Sequence, residues 1–526
     1  MFIVVPKRKA LITAPKTVTD IPLIGSKTLQ YKGKTICAIP HNVENNLILA
    51  KFGLKPPEPI RYYYDWPGRW KPFKHQVDTA AKMSTHPRFM CFNGMGTGKT
   101  LSVLWASDYL MKCGIVDRVV ICSPLSTLQS VWGDSIFEHF LHRTYNVAHG
   151  AKRAEAIHSH SDYLITNHHG VKTCYDDLSK MQGRVLWIVD ESAVFRNAQT
   201  DLYKFLWSLC GPKTDRMLWT LTGSPTPNSP TDIWAQAKLI NPDLVPKYFG
   251  RFREQVMYQA GPYKWLPKEG WQNEVYGKLQ PSVRYGTDDC LDLPPVTEQS
   301  RNVAMSKLQT KAYTEMLRDA VAEAKEGTIT AINEAAKMTK LLQIACGLVY
   351  TENGSAAVLD PMDRMKELLA VIEQSGKKCI VFVPFKHILE WLEENLSKRI
   401  YHNKKRTSLY SVRTISGDVS AGKRTEIFDQ FQNGDLEVIL AHPKCMAHGI
   451  NLTAGHTIVW WAPVNDFEIY DQANARIRRP GQKNHQVIIH LAGEVKGKPT
   501  IESKIYTRLK NKEKVQGTLL ELLKTL

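Results

Sequence analysis

The chain has 526 residues, 43% of them apolar and 23% charged, a balance that supports several packed cores and excludes an intrinsically disordered protein. Its formal net charge is +18, from 69 Lys and Arg against 51 Asp and Glu, and this favours a polyanionic partner because each neutralised phosphate releases counterions. No run approaches the roughly 20 apolar residues of a membrane span, the start Met1–Lys9 lacks the order of a secretion signal, and the cysteines stand singly without a C-x-x-C pair, which argues against zinc and for a reducing cytoplasm.

Residues 1–58 read as a separate N-terminal accessory segment, with a β-like run at Lys34–Pro40 and a helix near Val43–Phe52. Pro56, Pro57 and Pro59 then break the chain, since proline lacks a backbone donor. Arg61–Tyr64 and Trp66–Trp70 read as a connector. Within 59–240, short apolar runs alternate with helix-length segments. The runs are Phe89–Phe92, Arg118–Cys122, Tyr163–Thr166, Val185–Val189 and Met217–Leu221. Nearly unbroken apolar runs suit strands buried on both faces, and alternation with helices implies a parallel sheet. Residues 241–360 read as an irregular insert and helical linker. Its aromatics Trp265, Trp271 and Tyr276 suit packing better than stacking on bases. A helical stretch at Ser306–Gly347 is split around Gly327–Thr330. Within 361–526 the alternation resumes at Cys379–Val383, Val438–Leu440, Ile458–Trp461 and Val487–Ile489. The expected class is therefore α/β: two parallel-sheet lobes, an insert between them and a small N-terminal segment.

Asn93-Gly-Met-Gly-Thr-Gly-Lys-Thr100 follows the first strand and precedes a helix, the context of a phosphate-binding loop. Gly94, Gly96 and Gly98 let backbone N–H groups around Thr97 close on phosphate oxygens. Lys99 is expected to reach the β- and γ-phosphates of ATP, and the Thr100 hydroxyl to hold Mg²⁺. Asn93 stands where Gly or Ala is usual, and Asn tolerates unusual backbone angles. Some ninety residues on, Val185–Val189 ends in Asp190 and Glu191, at the strand edge where open α/β sheets bind ligands. Asp190 is the candidate Mg²⁺ acceptor and Glu191 the candidate base that orients the attacking water.

The order of these motifs resembles that of superfamily-two helicases. The finer match, over roughly 70–520, is to the Swi/Snf-type branch and its compact phage and prophage members. Phe73-Lys-His-Gln76, Ile121–Leu128 ending at Trp132, Ile165–His168, Leu221–Asn228 with Trp234, Leu291–Pro295, Ile415–Gly417 with Arg424 and Phe428, Ala447–Gly455 and Tyr470–Gln482 carry it. The resemblance implies two RecA-like lobes and an ATP-hydrolysing enzyme, and, since small segments precede the motor in some fork-remodelling relatives, auxiliary DNA binding by residues 1–58. Gln76 would bond the adenine edge, with Lys74 as the basic residue beside the base. Ser126, Thr127 and Asn167 would contact DNA from the first lobe, and Lys386 and His448 from the second. Thr222, Ser224, Gly449 and Gln472 would couple ATP state to DNA grip. Arg476 and Arg479, spaced three apart on an expected helix, would reach the ATP phosphates across the cleft. Two positions depart from the family's Asp-Glu-Ala-His box: Ser192 and Ala193 stand in its last two places.

The resulting expectation is an ATP-dependent DNA translocase that moves on duplex or forked DNA without reading its sequence, in phage-type replication, recombination or repair, in the host cytoplasm. A strand-separating DNA or RNA helicase and an ATP-gated DNA clamp are the alternatives.

Overall fold

The computed structural model describes residues 2–223, 225–226, 229–261, 264–290, 293–325, 331–350, 356–376, 378–397, 400–402, 405–407, 410–446 and 451–511. The chain divides into two compact units, 1–291 and 292–526.

The first unit opens with a small antiparallel sheet of four strands, Ile3–Val5, Ala10–Thr13, Lys27–Tyr31 and Lys34–Pro40, the last lying between the second and third. Leu11, Val18, Cys37, Ile39 and Leu49 give it a core of its own. Asn42 starts the helix Val43–Lys51 by accepting from Asn45 N, which satisfies a donor that the helix cannot. The following aromatic run is a connector laid on the larger domain. Tyr64 OH donates to Asp108 Oδ2 at 2.6 Å and Trp105 Nε1 donates to Pro67 O at 2.8 Å. Tyr64, Trp66, Trp105 and Tyr109 pack edge to face.

Seven parallel strands form the main sheet of this unit, in the order Ser282–Val283, Arg88–Cys91, Met217–Leu221, Val185–Asp190, Arg118–Ser123, Tyr163–Asn167, Tyr145–Ala148. The central strands are buried almost throughout, which is why they read as continuous apolar runs rather than alternating ones. The stretch expected as one insert, 241–360, is divided between the two units. Its first part folds as the helix Phe249–Val256, a hairpin of Met257–Gly261 with Lys264–Pro267, and the helix Trp271–Lys278. Phe252, Val256, Val275 and Leu279 join the first unit's core, against which Trp265 and Trp271 also pack. The Arg253 guanidinium lies 4.0 Å from the Trp265 ring centre, while Tyr276 is exposed.

The second unit has six parallel strands in the order Val296–Ala304, Gln486–Val495, Thr457–Trp460, Cys379–Phe382, Val438–Ala441, Val412–Ile415. Helices Lys307–Lys325 and Ala331–Ala345 occupy the expected helical stretch. Inside this unit Arg364 meets Glu502 at 2.6 and 2.9 Å, and neither is more than 3% exposed. Trp461 O and Gly493 N complete the pair, so the buried charges keep hydrogen-bond partners in place of water.

Candidate nucleotide site

The loop after the strand Arg88–Cys91 has the backbone shape that its glycines allow. Gly96 and Gly98 have φ of 77° and 76°, in the left-handed region that side chains disfavour. A Cβ on Gly98 would also collide with Gln76 Nε2. Lys99 then begins a 14-residue helix, Lys99–Lys112, whose first N–H groups and dipole favour an anion at this end. Lys99 Nζ donates to Asn93 O at 2.8 Å and to Gly94 O at 3.3 Å, so the ammonium stands over the loop it would share with phosphate. Thr97 Oγ1 donates to Gly94 O at 2.8 Å, and Thr100 lies in the first turn of the helix.

The loop is braced from behind by the helix Lys74–Ser84. His75 Nε2 donates to Thr97 O at 2.8 Å, and Gln76 Nε2 donates to Thr97 O and Gly98 O at 3.3 and 3.5 Å. Gln76 Oε1 accepts from Phe73 N at 2.9 Å. A lone pair on Oε1 is what the amide keeps for a base edge. Lys74, at the helix start, is exposed.

Asn93, the residue that departs from the usual loop, acts as a bracket. Its Nδ2 donates to Thr79 Oγ1 at 2.8 Å, and its Oδ1 accepts from Tyr285 N at 3.0 Å. A glycine or alanine could make neither bond. The segment containing Tyr285 lies against the loop at several points. Gly94 N donates to Tyr285 O at 2.8 Å, and Thr287 Oγ1 donates to Met95 O at 2.7 Å. A Cβ on Gly94 would stand 2.8 Å from Thr287 Oγ1. The chain separation of 192 residues between Asn93 and Tyr285 hid this contact from sequence.

Asp190 ends the strand Val185–Asp190. Trp132 Nε1 donates to its Oδ2 at 3.2 Å and Glu191 N to its Oδ1 at 3.1 Å. Burial raises its carboxyl above the ordinary range, and the Lys99 charge offsets part of that rise. A divalent cation would act in the same sense as Lys99, so a buried carboxylate and the Thr100 hydroxyl are a donor set that suits Mg²⁺. Glu191 has φ of 51°, a left-handed backbone that non-glycine residues adopt seldom. His168 Nε2 donates to Asp190 O at 2.8 Å. Burial pushes the His168 ring down to about 4, so it is neutral at neutral pH. Trp132 and His168 lie inside motifs visible in the sequence, yet their contact with Asp190 was not foreseen.

The other expected residues are more dispersed. Ser126 is exposed, whereas Thr127 is buried with its hydroxyl donated to Pro124 O at 2.9 Å and Ser123 Oγ at 3.1 Å. Asn167 Oδ1 is buried without a hydrogen-bond partner. Thr222 is buried, and its N–H donates to Cys91 O at 3.0 Å. The next residue, Gly223, adjoins the phosphate loop: a Cβ there would be 3.8 Å from Lys99 Nζ. Ser224, His448 and Gly449 lie outside the described residues.

In the second unit Lys386 is paired with Asp418 at 2.5 Å. Gln472 is buried, and its Nε2 donates to Glu468 Oε1 at 3.2 Å. The two arginines are not on a helix. The helix Phe467–Asn474 ends before them, and Arg476 and Arg479 sit in the turns that follow. Pro480 explains part of this, since the residue before a proline is driven from the helical region. Arg476 is turned inward, 2% exposed, with its Nε donating to Gln472 O at 2.9 Å. Gln482 secures the turn: its two Nε2 hydrogens are shared among Gly455 O at 2.9 Å and Thr453 O and Ile477 O, both at 3.2 Å.

A parallel α/β unit with a glycine loop at a helix start and a carboxylate pair at a neighbouring strand end defines a phosphate-loop nucleotide hydrolase. A family model described as "SNF2-related domain" matches residues 80–348, and a second, "Helicase conserved C-terminal domain", matches 361–481. The chain belongs to the SNF2-related family, and it is an ATP-dependent enzyme of the helicase and translocase type. Protein p41 of Acyrthosiphon pisum secondary endosymbiont phage 1 is 27% identical over 479 residues, 82% of this chain and 94% of that protein. Chromodomain-helicase-DNA-binding protein 1-like of Mus musculus is 26% identical over 478 residues, 82% of this chain and 48% of that protein. The chain thus spans nearly all of the phage relative and about half of the mouse one. A solved structure, the Sulfolobus solfataricus SWI2/SNF2 ATPase core in complex with dsDNA, is 20% identical, with a TM-score of 0.39, covering 85% of this chain and 92% of that one.

Proposed function

We propose that this chain couples ATP hydrolysis to movement along duplex DNA, without reading base sequence. The observation that carries the reading is the joint geometry of the Gly94–Thr100 loop and the Asp190–Glu191 strand end, in a chain of this family. The loop N–H groups and Lys99 hold the phosphates, and Glu191 orients the water that attacks the γ-phosphoryl group. Thr100 and Asp190 would hold Mg²⁺, which neutralises charge on the phosphate oxygens when bound. Gln76, with Lys74 nearby, is assigned to the adenine. Arg476 and Arg479 are assigned to the charge that develops on the γ-phosphoryl oxygens, where a planar, permanently charged group suits best.

Ser126, Asn167, Lys386 and His448 are assigned to phosphate contacts, which fix position but carry no sequence code. Thr127 supports that loop from within, since its hydroxyl is already used. Thr222, Ser224, Gly449 and Gln472 are assigned to coupling. The net charge of +18 supports a polyanionic track, and the phage relative supports a role in phage replication, recombination or repair in the host cytoplasm.

The test is ATP hydrolysis measured with duplex, single-stranded and forked DNA and with RNA, beside an unwinding assay. Stimulation by duplex without strand separation is the expected result. Stimulation confined to single strands or RNA, with unwinding, would replace this reading by a strand-separating helicase.

A further inference from the structure

In the first unit, the strand end that carries Glu191 is tied to the loop that carries Gly223 by a side chain belonging to neither motif. Gln236 lies on the helix Ile233–Ile240 and is 1% exposed. Its Oε1 accepts from Ser192 Oγ at 2.9 Å. Its Nε2 donates to Pro225 O and to Asp232 O, both at 3.1 Å. The two carbonyls can only accept, which fixes the orientation of the amide and makes the Ser192 hydroxyl the donor. Ser192 is itself fully buried and directly follows Glu191. Pro225 lies two residues beyond Gly223, whose backbone stands beside Lys99 Nζ. One buried amide therefore spans from the residue after the candidate base to the loop that runs near the phosphate lysine.

This span matters because of what the sequence lacks. Ala193 occupies the place where the resembled box has histidine, and a methyl group cannot carry a hydrogen bond to a neighbouring loop. Gln236 and Ser192 make a connection by other atoms. Both ends of the amide are committed, and neither has water to fall back on, so a shift of the loop by an ångström must be felt at the Glu191–Ser192 peptide or break a bond.

We propose that Gln236 is a positioning residue that transmits movement of Pro225 to Glu191 through Ser192, and so sets how strongly DNA accelerates hydrolysis. The proposal rests on the reading of the chain as a DNA-stimulated ATPase. Gln236 acts through Ser192 and the loop, and it touches neither nucleotide nor DNA.

The test uses the purified full chain and compares wild type, Gln236→Leu, Ser192→Ala and the double variant. The readout is the ratio of duplex-stimulated to unstimulated hydrolysis, with kcat and KM for ATP resolved separately. The ratio is expected to fall about five- to tenfold in Gln236→Leu and in Ser192→Ala, the scale of one lost buried hydrogen bond. The loss should appear in the stimulated kcat, with KM for ATP changed less than about twofold. The double variant should be no worse than the poorer single one, because both remove the same bond. Ser192→Ala removes one oxygen from a packed site and keeps the experiment readable if Gln236→Leu folds badly. A wild type that is stimulated, with both single variants retaining its ratio or losing only ATP affinity, overturns the inference alone. A wild type whose hydrolysis ignores DNA overturns the functional reading and the inference with it.

Discussion

At Lys99 and Glu191 the chemistry is concentrated in two side chains with different duties. Lys99→Ala removes the charge that stands over the phosphate loop, and both ATP binding and hydrolysis should be lost in nucleotide-binding and phosphate-release assays. Glu191→Gln keeps shape and hydrogen bonding but cannot take a proton. Hydrolysis should fall by at least about a hundredfold while nucleotide binding survives; an active Glu191→Gln enzyme would remove Glu191 from its assigned role. Asn93 is the residue whose purpose the sequence concealed. Its replacement by alanine leaves Tyr285 N and Thr79 Oγ1 without their partner, a cost of about 1–2 kcal/mol. A lowered thermal midpoint and a raised KM for ATP are the expected outcomes.

At the scale of elements, the turn after the helix Phe467–Asn474 holds the arginines in place of the helix expected from their spacing. A spacing of three suggested one helical face, but the helix ends at Asn474, ahead of both arginines, and Gln482 then defines the turn. Gln482→Ala would remove the two N–H donors shared by three carbonyls, and about 1–3 kcal/mol of stability with them. Denaturant unfolding and a hydrolysis assay should both register the loss. In the first unit, His168 links the strand Tyr163–Asn167 to the end of the Asp190 strand. Its folded pKa of about 4 lies below the ordinary 6.5, so the unfolded chain binds the extra proton between those values. Stability is therefore complete above about pH 6.5 and declines as pH falls toward 4. His168→Gln should flatten this part of a pH–stability curve, since an amide can donate to Asp190 O without titrating.

Across the whole molecule, the two parallel sheets were legible because their central strands are buried on both faces and the apolar runs have no alternation to confuse them, whereas the partly exposed edge strands Val296–Ala304, Tyr145–Ala148 and Val412–Ile415 gave no such run. The phosphate loop and the Asp190–Glu191 strand end were legible because local spacing fixes their geometry. What remained hidden depends on contacts made late in the chain. The strand Ser282–Val283 is two residues long and gains its place only by pairing with Arg88–Cys91. Gln236 is a buried polar residue on a largely apolar helix, and no local pattern marks its reach to Ser192. Residues 241–285 looked irregular because their order comes from packing on the first unit's core. A molecule with net charge +18 that holds phosphates of the track should also show steep salt dependence, with DNA affinity falling by about a thousandfold between 50 and 200 mM salt if six or more phosphates are contacted.

Triplex displacement from a duplex track, compared between ATP and a non-hydrolysable analogue, is the most direct test of movement driven by hydrolysis. Displacement with ATP and none with the analogue is the predicted result. Equal displacement with both, or tight ATP-dependent binding that never displaces the third strand, would contradict it and leave a clamp.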